Sequence, residues 1–176
     1  MKTRRGLPNA YEANEIVNTI VLLLNDKRYK DKTFGIITLQ GSQQANQIEN
    51  LLLKGIGEQE YHKRKIVCGN SASFQGDERD IIFLSLVTSR EHKRSALVKP
   101  EDERRFNVAV SRAKEQVWLF HSVQLEDLSN TDDLRYKLLN HFINYKTPDF
   151  KRRQLVPVPP KKTIGTQPDL LEAGLK

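Results

Sequence analysis

Four short apolar runs constrain this chain more than anything else in it: FGIITL (34–39), KIVCG (65–69), IIFLSLV (81–87) and VWLFHS (117–122). Each is continuous rather than alternating, the pattern of strands buried on both faces. Between them the spacing predicts helices. Ile16, Ile20, Leu23 and Leu24 recur at helical intervals in one segment, and Ala45, Ile48, Leu51 and Leu52 in the next, with Ser42 as a candidate N-cap. Phe106, Ala109, Val110 and Ala113 share a third face, and Leu134, Leu138, Phe142 and Tyr145 a fourth. The order helix, strand, helix, strand, strand, helix, strand, helix is that of an α/β domain with helices covering a mostly parallel sheet. The domain is expected over residues 1–148. Residues 149–176 hold four of the seven prolines and read as a Pro/Lys-rich linker or disordered tail.

Absent motifs narrow the chemistry. No G-x-x-x-x-G-K-[ST] loop is present to cradle a nucleotide's phosphates. Neither H-E-x-x-H nor C-x-x-C occurs, and His62, His92, His121 and His141 are scattered, so no metal site is expected. A G-x-S-x-G nucleophile elbow is also missing. The single cysteine, Cys68, lies in an apolar run and reads as a small core residue in a reducing, cytoplasmic setting. No run approaches the roughly 20 apolar residues that span a bilayer, so no membrane partner is expected. The net charge of +7 makes a polyanionic partner plausible without proving one.

Two stretches carry positive signals. In SFQGDERDIIFLSLV (73–87) a polar loop with one glycine runs straight into a buried strand. Gln75 and Gly76 fall in the turn, where glycine permits close backbone approach to a ligand, and Glu78 follows as an acceptor for sugar hydroxyls. A plain solvated turn fits the same residues. In RRFNVAVSRAKEQVWLF (104–120), about 100° per residue places Arg105 and Arg112 together on a flank beside the buried stripe. A guanidinium suits the spread charge of a phosphate and can stabilise a phosphoryl group held by another domain. An arginine attracted to a helix C-terminus fits as well.

Together these stretches resemble motifs V and VI of the second RecA-like motor domain of superfamily 1 helicases, in the branch of the RNA-surveillance helicases and their bacterial relatives. TFGIITLQGSQQANQI (33–48) resembles the family's motif IV region, and NAYEANEIVNTIVLLL its opening helix, with an N-x-x-E-A-like start. The resemblance covers residues 9 to about 123. It implies a three-layer RecA-like fold of the P-loop NTPase type that lacks its own P-loop. ATP, with Mg2+, would be gripped by a P-loop-bearing first motor domain of the same protein. Arg112 would then be the arginine finger, Glu78 a ribose contact, Gly76 the point of backbone approach, and Gln75 and Gln43 further nucleotide-side contacts. Single-stranded nucleic acid would lie across the domain, with Thr38, Ser42, Ser71 and Ser73 as contacts and Lys93, Arg94 and Lys99 nearby. Gln44 stands where the family often has arginine, Leu39 where proline is usual, and Ala72 where aspartate is common. On this reading the chain alone hydrolyses no ATP. The alternative is a non-motor module, derived from a RecA-like domain, that binds nucleic acid or protein. Some bacterial relatives append a nuclease-like domain, to which the tail would be the linker, but no nuclease carboxylate–lysine pattern occurs within 124–176.

Overall fold

The computed structural model describes residues 8–89 and 95–145. Four helices and four strands follow in the expected order: α1 (Ala10–Leu24), β1 (Phe34–Thr38), α2 (Gln43–Lys63), β2 (Val67–Asn70), β3 (Arg79–Ser85), α3 (Pro100–Val110), β4 (Ala113–Phe120) and α4 (Leu134–Asn144). The strands form one wholly parallel sheet in the order β2-β1-β3-β4. The unit that holds all these elements ends at Tyr145. The expected boundary at 148–149, the tail, and Lys93 and Arg94 lie outside the described residues.

The period-2 geometry of a strand explains the layers. Phe34, Ile36, Ile81 and Phe83 point to one side, where Ile16, Ile20 and Leu23 of α1 and Ile48 and Leu52 of α2 meet them. Ile37, Ile82 and Leu84 point to the other, against Phe106 and Ala109 of α3 and Leu139 of α4. The result is the RecA-like three-layer α/β arrangement, with helices on both faces. Phe83 anchors the first layer, its ring centroid 6.0 Å from each of Phe34, Trp118 and Phe120.

Only the two central strands are buried throughout their apolar runs. β2 and β4, at the sheet's ends, are half-exposed, and β4 begins four residues before the apolar run, through Ala113 and the polar Lys114, Glu115 and Gln116. Backbone pairing to β3, not hydrophobicity, recruits those residues. The expected helical faces also need correction. α3 stops at Val110, which is exposed, and Ala113 is already in β4, so the helical wheel that joined Arg105 to Arg112 does not extend that far. α4 buries Arg135 and Leu139, while Tyr145 lies exposed beyond its end. Ser42 holds the N-cap position of α2 but makes no side-chain capping bond.

The connection from β2 to β3 depends on glycine. A 3-10 turn (Ser71–Phe74) folds back over the sheet and lays Phe74 on Gly35. A Cβ on Gly35 would sit 2.6 Å from Ile82 Cδ1 and 2.7 Å from Phe74 Cε1. Gly35→Ala is therefore expected to destabilise the fold by about 1–3 kcal/mol through overpacking. Thermal unfolding followed by circular dichroism measures the drop.

Candidate functional site

In a parallel sheet every strand starts at one edge and ends at the opposite edge. β3, with seven residues, sets the two edges about 20 Å apart at ~3.3 Å per residue. The sequence-derived site residues divide between them.

Arg112, Gln75, Gly76 and Glu78 lie at the N-terminal edge. The Arg79 amide donates to the Arg112 carbonyl at 3.1 Å, which closes the β3–β4 ladder where both strands begin. That bond fixes the loop of Gln75–Glu78 beside the turn of Ser111 and Arg112. A bulge follows, since Arg79 pairs with Ala113 but Ile81 with Gln116. Bulges concentrate beside functional sites because they re-aim side chains. Gly76 has φ +82 and nothing within 4 Å of where a Cβ would stand, so the loop is open at its tightest point. Arg79 is committed to the loop's shape. It pairs with Asp77 at 2.5 Å, and it donates to the Lys65 carbonyl at 2.7 Å and the Glu78 carbonyl at 2.8 Å. Arg79 also holds the Asp77 carboxyl below its ordinary range. The Arg112 guanidinium donates to the neighbouring Ser111 hydroxyl, at 3.1 and 3.3 Å, and pairs with no carboxylate of the described residues.

Thr38 is the last residue of β1, Ser42 and Gln43 follow it, and Ser71 and Ser73 follow β2, all at the C-terminal edge. Gln43, grouped by resemblance with the nucleotide contacts, is thus a strand length away from Arg112 and Glu78. Thr38 is 1% exposed and donates to the carbonyls of Gly41 and Gly69, and Ser71 is buried too. Ser42, Gln43 and Ser73 are the exposed members of the set.

Sequence reasoning missed a polar knot at this same edge. Glu12, on α1, is 1% exposed, and its carboxylate accepts four hydrogen bonds. They come from the Ser85 hydroxyl at 2.7 Å, the Val87 amide at 2.8 Å, Asn9 Nδ2 at 3.0 Å and the Ser122 hydroxyl at 3.1 Å. Gln44, also 1% exposed, donates to Ser85 Oγ and to the Asn9 carbonyl, and accepts from the Asn9 amide at 2.6 Å. Val87 is held at φ +64, a left-handed conformation that costs a β-branched residue about 1–3 kcal/mol. The spacing of Asn9 and Glu12 signals a capping pair, and they do bond reciprocally. No local pattern reveals that the other carboxylate oxygen turns into the protein. Arg135 was hidden in the same way. It is 2% exposed, paired with Asp133, and donates to the Ser95 carbonyl at 3.0 Å, which ties α4 to the connection before α3.

Burial pushes the Cys68 thiol up to about 12. Among the described residues no group of three or more His, Cys, Asp or Glu stands close enough to hold a metal ion. None of their helices is long and apolar enough to cross a membrane.

The fold and the two motif-bearing edges define a superfamily 1 helicase-like domain. The sequence model of the AAA_12 family, described as an AAA domain, matches residues 1–124, and the chain belongs to that family. It is 33% identical over 150 residues to the Uncharacterized ATP-dependent helicase MG140 of Mycoplasma genitalium, a match covering 78% of this chain and 13% of that protein. Over 80 residues it is 38% identical to the Regulator of nonsense transcripts 1 homolog of Arabidopsis thaliana, covering 46% of the chain and 6% of the relative. It is equally similar over the same length to the ATP-dependent helicase upf1 of Schizosaccharomyces pombe, covering 46% and 8%. The chain thus spans only a small fraction of the curated relatives it matches.

Burial raises the pKa of Glu12 above its ordinary 4.5, despite the bonds from Ser85, Val87 and Ser122 that favour the charged form. Folded Glu12 therefore keeps its proton to higher pH than the unfolded chain does. Its contribution to stability is full below the unfolded value and is lost as pH rises through the folded one. The stability advantage of the unaltered chain over Glu12→Gln should shrink as pH is raised from about 4 toward neutrality. Urea unfolding at a series of pH values checks this, and an advantage that grew with pH would reverse the sign.

Proposed function

We propose that this chain is the second motor lobe of an ATP-dependent superfamily 1 helicase or translocase. Its N-terminal edge faces ATP bound by a P-loop lobe, and its C-terminal edge carries a single nucleic-acid strand. The observation that carries the reading is the bond from the Arg79 amide to the Arg112 carbonyl, which brings the QGDE loop beside an arginine with no carboxylate partner among the described residues. The residues present fit the nucleotide. Gly76 leaves room for close approach, Glu78 is an exposed acceptor for a ribose hydroxyl, and Arg112 offers a fork of donors to the γ-phosphate. Gln75, exposed in the same loop, would couple the two edges. No acidic cluster among the described residues fits Mg2+, so the metal's ligands fall to the other lobe.

Closure of the two lobes would deliver the guanidinium as negative charge builds on the transferring phosphoryl group. The strand would be held by its backbone through Ser42, Gln43 and Ser73, without sequence readout. The relatives' names, ATP-dependent helicases of bacterial and eukaryotic origin, support the same reading.

In the longer protein that joins this lobe to a P-loop lobe, Arg112→Ala should lower the ATPase kcat by about 10³-fold or more while oligonucleotide affinity is retained. Arg112→Lys should not restore activity, because a point charge does not reproduce the planar fork. Steady-state phosphate release and fluorescence anisotropy measure the two quantities. The isolated chain should release no phosphate from ATP. Turnover by the isolated chain that is abolished by Arg112→Ala would defeat the two-lobe reading. Normal turnover in the longer protein without Arg112 would instead favour a module with no motor role.

A further inference from the structure

The C-terminal edge is organised around a buried carboxylate. Glu12 is buried with no lysine or arginine among the described residues pairing with it, and burying an ionisable group is costly unless it is fully hydrogen-bonded. Four donors meet that need, and they come from three places in the fold. Asn9 precedes α1, Ser85 ends β3 with Val87 just beyond it, and Ser122 follows β4. A core that needed only packing would hold a leucine here.

Two of the bonds reach further. The Ser85 hydroxyl gives its proton to Glu12, so its lone pair is free to accept from Gln44 Nε2 at 3.2 Å. Gln44 lies in the first turn of α2, beside Ser42 and Gln43, the exposed residues that open that helix. Since Ser42 makes no capping bond of its own, the start of α2 is held by Gln44 instead. The Val87 amide is the second link. Its bond to Glu12 holds a strained, left-handed residue where the chain leaves β3. One carboxylate thereby sets both the start of α2 and the turn after β3.

We propose that Glu12 is a positioning residue for strand binding, acting through the Ser85 hydroxyl and Gln44 on the start of α2 and through the Val87 amide on the turn that leaves β3. The inference rests on the reading that a single strand lies along this edge. Glu12 contacts no nucleic acid. A carboxamide in its place has the same shape but only one oxygen, so the Val87 and Asn9 donors cannot both keep a partner.

The test uses the 176-residue chain with fluorescein-labelled oligo(dT) and oligo(U), which also separate DNA from RNA. Glu12→Gln should raise the Kd about tenfold, the size of a lost hydrogen bond to a charged group. Amide chemical shifts should move at Ser42, Gln43 and Val87 and stay put at Gln75–Glu78 and Arg112. Glu12→Asp keeps the charge but withdraws it by one methylene; it should weaken binding in the same direction and serves if the glutamine variant does not fold. An unchanged Kd in either folded variant, with the C-terminal-edge shifts present, overturns the positioning role and leaves the strand-binding reading intact. Shifts that spread equally to the N-terminal edge overturn it too, since they mark a general structural role. If the unaltered chain binds neither oligonucleotide, the strand-binding reading fails and takes the inference with it.

Discussion

The bond from the Arg79 amide to the Arg112 carbonyl is the point on which the arrangement of the domain turns. It is an ordinary ladder bond, but it lies where two chain segments of different origin must meet. One arrives by folding back from the end of β2, with Phe74 laid over Gly35. The other arrives down α3 from the far side of the sheet. Parallel pairing leaves them no other meeting place, because β3 and β4 must both begin at this edge. The bulge just beyond then lets the ladder resume while the first residues of β4 remain half-exposed and polar.

Parallel pairing also gives the lobe two chemically unlike edges. At one, an arginine pairs with no carboxylate of the described residues and a glycine is left open. At the other, hydroxyls and amides surround a buried carboxylate. Between them lie strands whose central residues, from Ile81 to Leu84 in β3, have no solvent exposure. A close-packed interior of this kind deforms little, so the two edges move as parts of one body.

The layers of the fold were legible because β1 and β3 are buried on both faces, which writes itself as uninterrupted apolar runs. The ends of the sheet were less legible. β4 starts through Ala113, Lys114 and Glu115, which no hydrophobic pattern marks, because pairing with a neighbour already in place extends the strand. At the N-terminal edge, glycine, glutamate and arginine at short, local spacing could be read directly. The other edge resisted because its organisation is non-local: Glu12 meets Ser85 and Ser122 across separations of 73 and 110 residues. The exposed serines and Gln43 were visible as polar residues after strands, but the burial of Thr38 and Ser71 depends on turns that only the folded chain defines.

The sheet order places β2 and β4 at its two ends, each with one side of its backbone unpaired within the described residues. Such a side carries donors and acceptors at the spacing another chain's strand would match. β4 has a guard where it begins, since Lys32 pairs with Glu115 there and Lys114 is exposed. β2 runs Val67, Cys68, Gly69 and Asn70, with no charge along its length. In a concentrated solution of the lobe by itself, aggregation by strand addition would therefore begin on the β2 side.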